Sequence, residues 1–255
     1  MHRPTRRSSI SSFLRLRRSR EVREEAQVPR LGTTLVRPEP NAIRTYYTVA
    51  MALARGSLSR PGLPFELMMH ICRLAGFEVL QTRKAPAGIK EVHAWSLKVE
   101  SRLWFQTEQF TKEMLSHIKS IQLITMSHHQ GFVGNRYAGS WSWFEIRIAR
   151  STEQDPSQFE VKHRPSGEEI SQRSHSHPVD EETAEQQGDF AEHRGFVFGP
   201  GNPLWNEIEV GDVLQVMMKA QFSGWKNVAS DGILKINRWW EPSPEMLELI
   251  YIQRC

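Results

Sequence analysis

Two kinds of hydrophobic spacing divide the chain. Between Leu63 and Phe77 the apolar residues Leu67, Ile71, Leu74 and Ala75 stand at i, i+4, i+7 and i+8, one face of an α-helix. Pro64 suits the first helical turn, where its missing N–H is not needed, and Gly76 supplies a C-terminal stop. From about residue 90 the period becomes two. Phe144, Ile146 and Ile148 alternate with Trp143, Glu145 and Arg147, and Trp141 falls on the second of these faces. Leu214, Val216, Met218, Ala220 and Phe222 alternate with Gln215, Met217, Lys219 and Gln221. This is the pattern of strands with one face in a core. Glu91–Val99, Trp104–Thr107, Ile121–Ser127, Phe159–His163 and Gly232–Trp240 add further strand-like segments. Strands joined by loops with few helices between them predict a mainly β fold, an antiparallel β-sandwich of about eight strands.

The same pattern sets the domain organisation. Residues 1–60 read as a mostly disordered basic tail, with Ala42 to Ala54 apolar enough for a short helix. Residues 61–80 hold the helix, 90–242 the sandwich, and 243–255 a C-terminal helical tail. The stretch 165–195 is polar and acidic, with Pro, Gly and Ser, and reads as a disordered insertion.

Charge sharpens this division. The net charge is +4, but residues 1–30 hold nine Arg against three Glu, and 165–195 hold eight acidic groups against two Arg. Such asymmetry marks tails and loops. The first 20 residues contain Arg and Ser but no acid, a composition shared with mitochondrial presequences, and Arg6-Arg7-Ser8-Ser9 matches a basophilic phosphorylation site. Cys72 and Cys255 are isolated thiols, which fits a reducing compartment, cytoplasm or nucleus, better than a disulfide framework. No stretch reaches the roughly 18 apolar residues of a membrane span. No folded reader with interleaved aromatics accompanies the basic tail, so nucleic acid is not an expected partner.

The segment Leu63-Pro64-Phe65-Glu66-Leu67, followed by Ile71 and Leu74, resembles the first part of an F-box. That family docks its Leu-Pro start and apolar helix face on the linker subunit of a cullin ubiquitin ligase. The resemblance implies that Leu63, Pro64, Glu66, Leu67, Ile71 and Leu74 form a partner-binding helix. A complete F-box continues through further helices, whereas here the helical pattern stops near Phe77, and Pro86 and Gly88 follow. Four further motifs occur in order: Ser127-x-x-Gln130-Gly131, Gly139-Ser140-x-x-Trp143-Phe144-Glu145, Leu204-Trp205-x-x-Ile208-x-x-Gly211-Asp212-Val213 and Phe222-x-Gly224-Trp225-x-Asn227-x-Ala229. Together they resemble uncharacterised fungal F-box-like proteins with a C-terminal galactose-binding-like or F-box-associated β-sandwich. The resemblance implies a jelly-roll or galactose-binding-like sandwich more firmly than any ligand. His128-His129 departs from it, since an acidic residue is expected before Gln130.

Six of the eight tryptophans lie in the C-terminal half. Trp141, Trp143 and Trp225 could form an aromatic platform for a sugar, a peptide or a modified side chain, or could plug the ends of the sandwich. Trp143, opposite Phe144 and Ile146, is the best candidate for exposure. The candidate ligand surface comprises His128, Gln130, Trp141, Trp143, Glu145, Trp225 and Asn227. Adjacent histidines in an extended chain point apart, so His128 and His129 make a poor metal pair; His175 and His177 share a side but fall in the acidic insertion. Glu145, Asp212 and Glu241 are dispersed, whereas a glycosidase needs two carboxylates about 5–10 Å apart. Gly211-Asp212 reads as a turn into the next strand. No Walker or dinucleotide fingerprint occurs. The expectation is a non-enzymatic recognition module without cofactor or metal, adapting a protein target to a ubiquitin ligase. The alternatives are a carbohydrate- or other ligand-binding sandwich acting alone and, behind it, a glycoside-type hydrolase.

Overall fold

A computed structural model describes residues 29–32, 40–130, 139–152, 154–179 and 189–251. The Arg6–Ser9 site, the presequence-like stretch and Cys255 lie outside the described residues. The fold is mainly β and antiparallel, as the alternation predicts. In chain order, α1 is Pro40–Arg55, β1 Gly56–Ser57, β2 Arg60–Pro61, α2 Phe65–Leu74, β3 Glu78–Lys84, β4 Lys90–His93 and β5 Glu100–Gln106. Then come α3 Lys112–His117, β6 Ile118–His129, β7 Ser142–Ser151, β8 Phe159–Val161, β9 Ser171–Ser176 and β10 Ala191–Arg194. A 3-10 turn at Pro203–Asn206 leads to β11 Asp212–Ala220, β12 Lys226–Trp239 and α4 Pro244–Tyr251.

Two five-stranded sheets carry the β domain, with β1 and β2 forming a separate hairpin. In the first sheet β12 is the axis. It pairs with β6 on one side; on the other, its N-terminal end pairs with β4 and its C-terminal end with β3. In the second, β7 and β11 pair along their length, β5 flanks β11, and β8 and β9 share the other edge of β7. The sheets curl round one apolar core. Ile121, Leu123, Leu234 and Ile236 enter it from the first sheet, and Phe144, Ile146, Leu214, Val216 and Met218 from the second. These are the alternate positions of β6, β12, β7 and β11, because neighbouring side chains on a strand point to opposite faces.

Three sequence expectations are corrected. Residues 40–60 are not tail, since α1 and the hairpin fill them; Ala50 and Ala54 of α1 are fully buried against Met68, Cys72 and Trp240. The β domain begins at Glu78 rather than near residue 90, and its two sheets hold ten strands rather than eight. The stretch 165–195 is not a disordered insertion over its described residues. β9 pairs with β7, β10 pairs with β6, and Ile170 enters the core. The acidic composition of residues 180–188, which lie outside the description, outweighs the two short strands that flank them.

Candidate recognition surfaces and a buried imidazole chain

The helix α2 has two apolar stripes, one residue apart. Met68, Met69 and Cys72 are buried and pack with α1, Phe77 and Trp240. Phe77 stacks on Tyr46 at 4.1 Å, and Tyr47 meets Trp240 edge-on at 5.1 Å. The stripe read from the sequence, Leu67, Ile71 and Leu74, faces outward, at 53%, 38% and 76% exposure. Pro64 is the N-cap rather than a first-turn residue, and its carbonyl accepts the first helical bond from Met68 N at 3.1 Å. Gly76, at φ +74°, ends the helix. Its N–H donates to Arg73 O and that of Phe77 to Cys72 O, both at 3.0 Å, the paired bonds of a Schellman stop. Both ends of the exposed stripe are therefore fixed. Burial raises the Cys72 thiol pKa. The chain passes from Phe77 directly into β3, so the companions of α2 are α1 and Trp240, not a second and third helix downstream.

The seven residues of the expected ligand surface do not form one surface. Gln130, Trp141 and Trp225 do converge at one end of the β domain. Gln130 Oε1 accepts from Lys226 N at 3.3 Å, and Trp141 O accepts from Gln221 N at 2.9 Å. Trp141 meets Phe222 edge-on at 4.5 Å, and Trp225 lies 6.1 Å from His129. Asn227 is buried beneath them, with Nδ2 donating to Trp143 O at 2.8 Å; among the described residues its Oδ1 has no hydrogen-bond partner. Trp143 is corrected from exposed to buried, at 4% exposure. It does stand on the outer face of β7, but the Arg173 guanidinium of β9 lies over the ring at 4.5 Å. Its indole N–H donates to Glu145 at 2.6 Å, and Glu145 pairs with Lys219 at 2.5 Å. His128 sits apart, edge-on to Phe190 at 4.7 Å.

Sequence reasoning missed the most exposed part of this end. The β4–β5 loop presents Trp95 and Leu97, each 74% exposed, with Ser96, Lys98 and Val99 also exposed. Ala94 and the 222–225 turn exchange two backbone bonds, Ala94 N to Trp225 O and Gly224 N to Ala94 O. Gln221 Nε2 donates to Leu97 O at 3.1 Å. Trp95, Leu97, Trp141, Phe222 and Trp225 thus share one rim. The signal was present as Trp-Ser-Leu-Lys-Val after β4, but its alternation looks like more strand.

The carboxylates are each neutralised locally. Asp212 is fully buried, held by Arg150 Nε at 2.7 Å and Lys162 Nζ at 3.0 Å. The bond from Arg150 to Asp212, with a second to Glu209, raises the Arg150 pKa. Glu241 pairs with His117 at 2.5 Å. Asp212 and Glu145 stand opposite Arg150 and Met217 in the β11–β7 register, which separates them by five residues, about 17 Å along a strand.

Between the sheets runs a buried polar chain. Ser142 Oγ contacts His177 Nδ1 at 2.8 Å, and His177 Nε2 contacts Ser127 Oγ at 3.0 Å. Ser127 contacts Thr125 at 2.8 Å, Thr125 contacts His175 Nε2 at 3.1 Å, and His175 Nδ1 contacts Ser174 at 3.1 Å. His193 Nε2–H donates to Ser127 O at 3.1 Å. A neutral imidazole offers one donor and one acceptor, so one direction of donation satisfies the whole chain with both histidines uncharged. Burial, reinforced by neighbouring imidazoles, pushes the His175 pKa down to about 3 and that of His177 well below the usual histidine value. Burial lowers His129 and His193 as well. His175 and His177 therefore belong to the core rather than to an acidic loop. Among the described residues, no three of His, Cys, Asp and Glu are grouped to hold a metal, and no helix is long and apolar enough to cross a membrane.

No protein-family model matches the chain, and no curated protein matches it.

Proposed function

We propose that the chain is a non-enzymatic recognition module that docks through α2 and takes its target at the aromatic rim. In its sharper form the docking partner is the linker subunit of a cullin-type ubiquitin ligase, in the cytoplasm or nucleus, and the β domain is a galactose-binding-like sandwich. One observation carries the reading: Leu67, Ile71 and Leu74 stand exposed in line on a helix whose opposite face is anchored. An exposed apolar row on a rigid helix suits insertion into a partner's groove. The Leu63-Pro64-x-Glu66-Leu67 start supports the linker subunit as that partner. A pull-down of the purified chain against the linker subunit tests it, with wild type beside Leu67→Glu. Wild type should be retained and the variant lost. A folded variant that binds as wild type does, or no retention of either, ends the adaptor reading.

A second reading has its own observation. Trp141, Phe222 and Trp225 are half-buried beside Gln130, an aromatic rim with a polar neighbour of the kind that holds a sugar ring. A glycan array with wild type and Trp141→Ala should show binding only for wild type. An array blank for both leaves the rim to protein targets.

A further inference from the structure

The outer face of the first sheet carries an apolar spot that its own strands do not cover. Ile124 of β6 and Ile233 of β12 are cross-strand partners there, with Met126 beside them. Both isoleucines are nonetheless buried, because Leu31 lies on them, itself only 7% exposed. Leu31 belongs to the short segment Pro29–Gly32, about 200 residues away in sequence from the Ser230 and Asp231 that this segment bonds.

The contact is polar as well as apolar, and it is directional. Leu31 N–H donates to Asp231 Oδ2 at 3.1 Å, and Ser230 Oγ–H donates to Pro29 O at 2.6 Å. The other Asp231 oxygen accepts from Gly232 N at 2.8 Å, which holds the carboxylate in place. A register slip makes this geometry available. The β12–β6 pairing skips from Ala229 to Asp231, so Ser230 is an extra residue, and a bulge of this kind re-aims side chains that would otherwise follow the ladder. One apolar socket and two bonds to backbone groups two residues apart form a reader of a peptide segment. Such a reader fixes an apolar residue at one position and requires only backbone at the other.

We infer that the socket of Ile124, Ile233 and Met126, with Ser230 and Asp231 at its mouth, is a binding site for a peptide segment that places a leucine in the socket and a backbone carbonyl two residues before it, and that the chain's own Pro29–Gly32 occupies it in cis. The site is independent of the α2 docking reading, since neither α2 nor the aromatic rim contributes to it. A partner segment offering the same leucine and backbone groups would compete with the resident segment. An occupant tethered in cis acts at an effective concentration on the order of millimolar, so competition demands a tight or multivalent partner.

The experiment uses the full chain with its isoleucine methyl groups labelled for NMR, as wild type and as Leu31→Asp. The probe is a synthetic peptide of residues 26–34, with the same peptide carrying Leu31→Asp as control. The Ile124 and Ile233 signals should move in the variant, while those of Ile146 and Ile148 in the core stay put. Adding the peptide at millimolar concentration should return the first two towards their wild-type positions, and the control peptide should not. The wild-type chain should respond more weakly, because its site is filled by an identical segment. Leu31→Ala, which adds no charge, should repeat the result at smaller amplitude. Methyl signals that are the same in wild type and both variants, a variant unmoved by the peptide, or equal responses from wild type and variant would each overturn the inference.

Discussion

Gly232 shows how a single missing side chain can hold two sheets in register. A Cβ at this position would lie 2.4 Å from Cη2 and 2.8 Å from Cζ3 of Trp104. Trp104 comes from β5 of the second sheet and Gly232 from β12 of the first, so the indole crosses the core and ends on bare backbone. Gly232→Ala should force the ring aside and destabilise the fold by about 1–3 kcal/mol, the usual cost of overpacking. Urea denaturation measures this, and Trp104→Leu in the same chain should recover part of it. An unchanged midpoint in Gly232→Ala would mean that the indole moves away at no cost. Gly195 is constrained in the same way, since a Cβ there would stand 2.0 Å from Ser174 Oγ and 2.9 Å from His175 Nδ1. Phe222 is the converse case, a large residue at φ +67°. A left-handed conformation costs a residue with a Cβ roughly 1–2 kcal/mol, and here it places the ring against Trp141 at the rim.

At the scale of elements, the legible features were those whose apolar residues repeat. β6, β7, β11 and β12 could be read because one face of each is built from Ile, Leu, Val, Phe and Met. The span and C-terminal stop of α2 could be read too, but not its orientation. Leu67-Ile71-Leu74 and Met68-Cys72 are both apolar at helical spacing, and only α1 and Trp240, remote in sequence, select the second for burial. β9 was illegible for a different reason. Its sequence, Ser-Gln-Arg-Ser-His-Ser, has no apolar residue, so any hydrophobicity argument assigns it to solvent. Only Ser174 is fully covered, and it is satisfied there because the His175 imidazole bridges it to Thr125 of β6; a satisfied polar group loses little on burial. Trp143 failed for a related reason, since alternation gives the face of a side chain but not what lies over it. The rim was half legible: Gln130, Trp141 and Trp225 were singled out, whereas the neighbouring Trp95 and Leu97 passed for strand.

For the whole molecule, the buried imidazole chain makes stability a function of pH. His175 and His177 stay neutral in the folded state, with pKa values pushed down, to about 3 for His175. In the unfolded chain each takes a proton near pH 6.5. Above that pH neither state binds the proton, and there is no effect. Below it the unfolded state gains protons that the fold refuses, so stability falls with pH, by up to about 1.4 kcal/mol per unit for each histidine. The loss from His175 levels off near pH 3. Urea midpoints at pH 7.5, 6.0 and 5.0 should therefore decline, and His175→Gln/His177→Gln should flatten the decline. A wild-type chain as stable at pH 5.0 as at 7.5 would show that the two rings protonate in place.

The position of β12 also governs how the protein can be made. It is the axis of the first sheet, yet it lies near the C-terminal end, after every strand it pairs with. β4 ends at His93 and its partner begins at Lys226. At a synthesis rate of roughly 5–20 residues per second, β4 waits on the order of ten seconds before that partner exists. During that interval β3 and β4 emerge from the ribosome without the strand they pair with, β6 has only the short β10 beside it, and their apolar faces are open to any binder of unfolded chains. The first sheet therefore closes only once β12 has been translated, whereas the second sheet, which lacks that strand, can pair earlier.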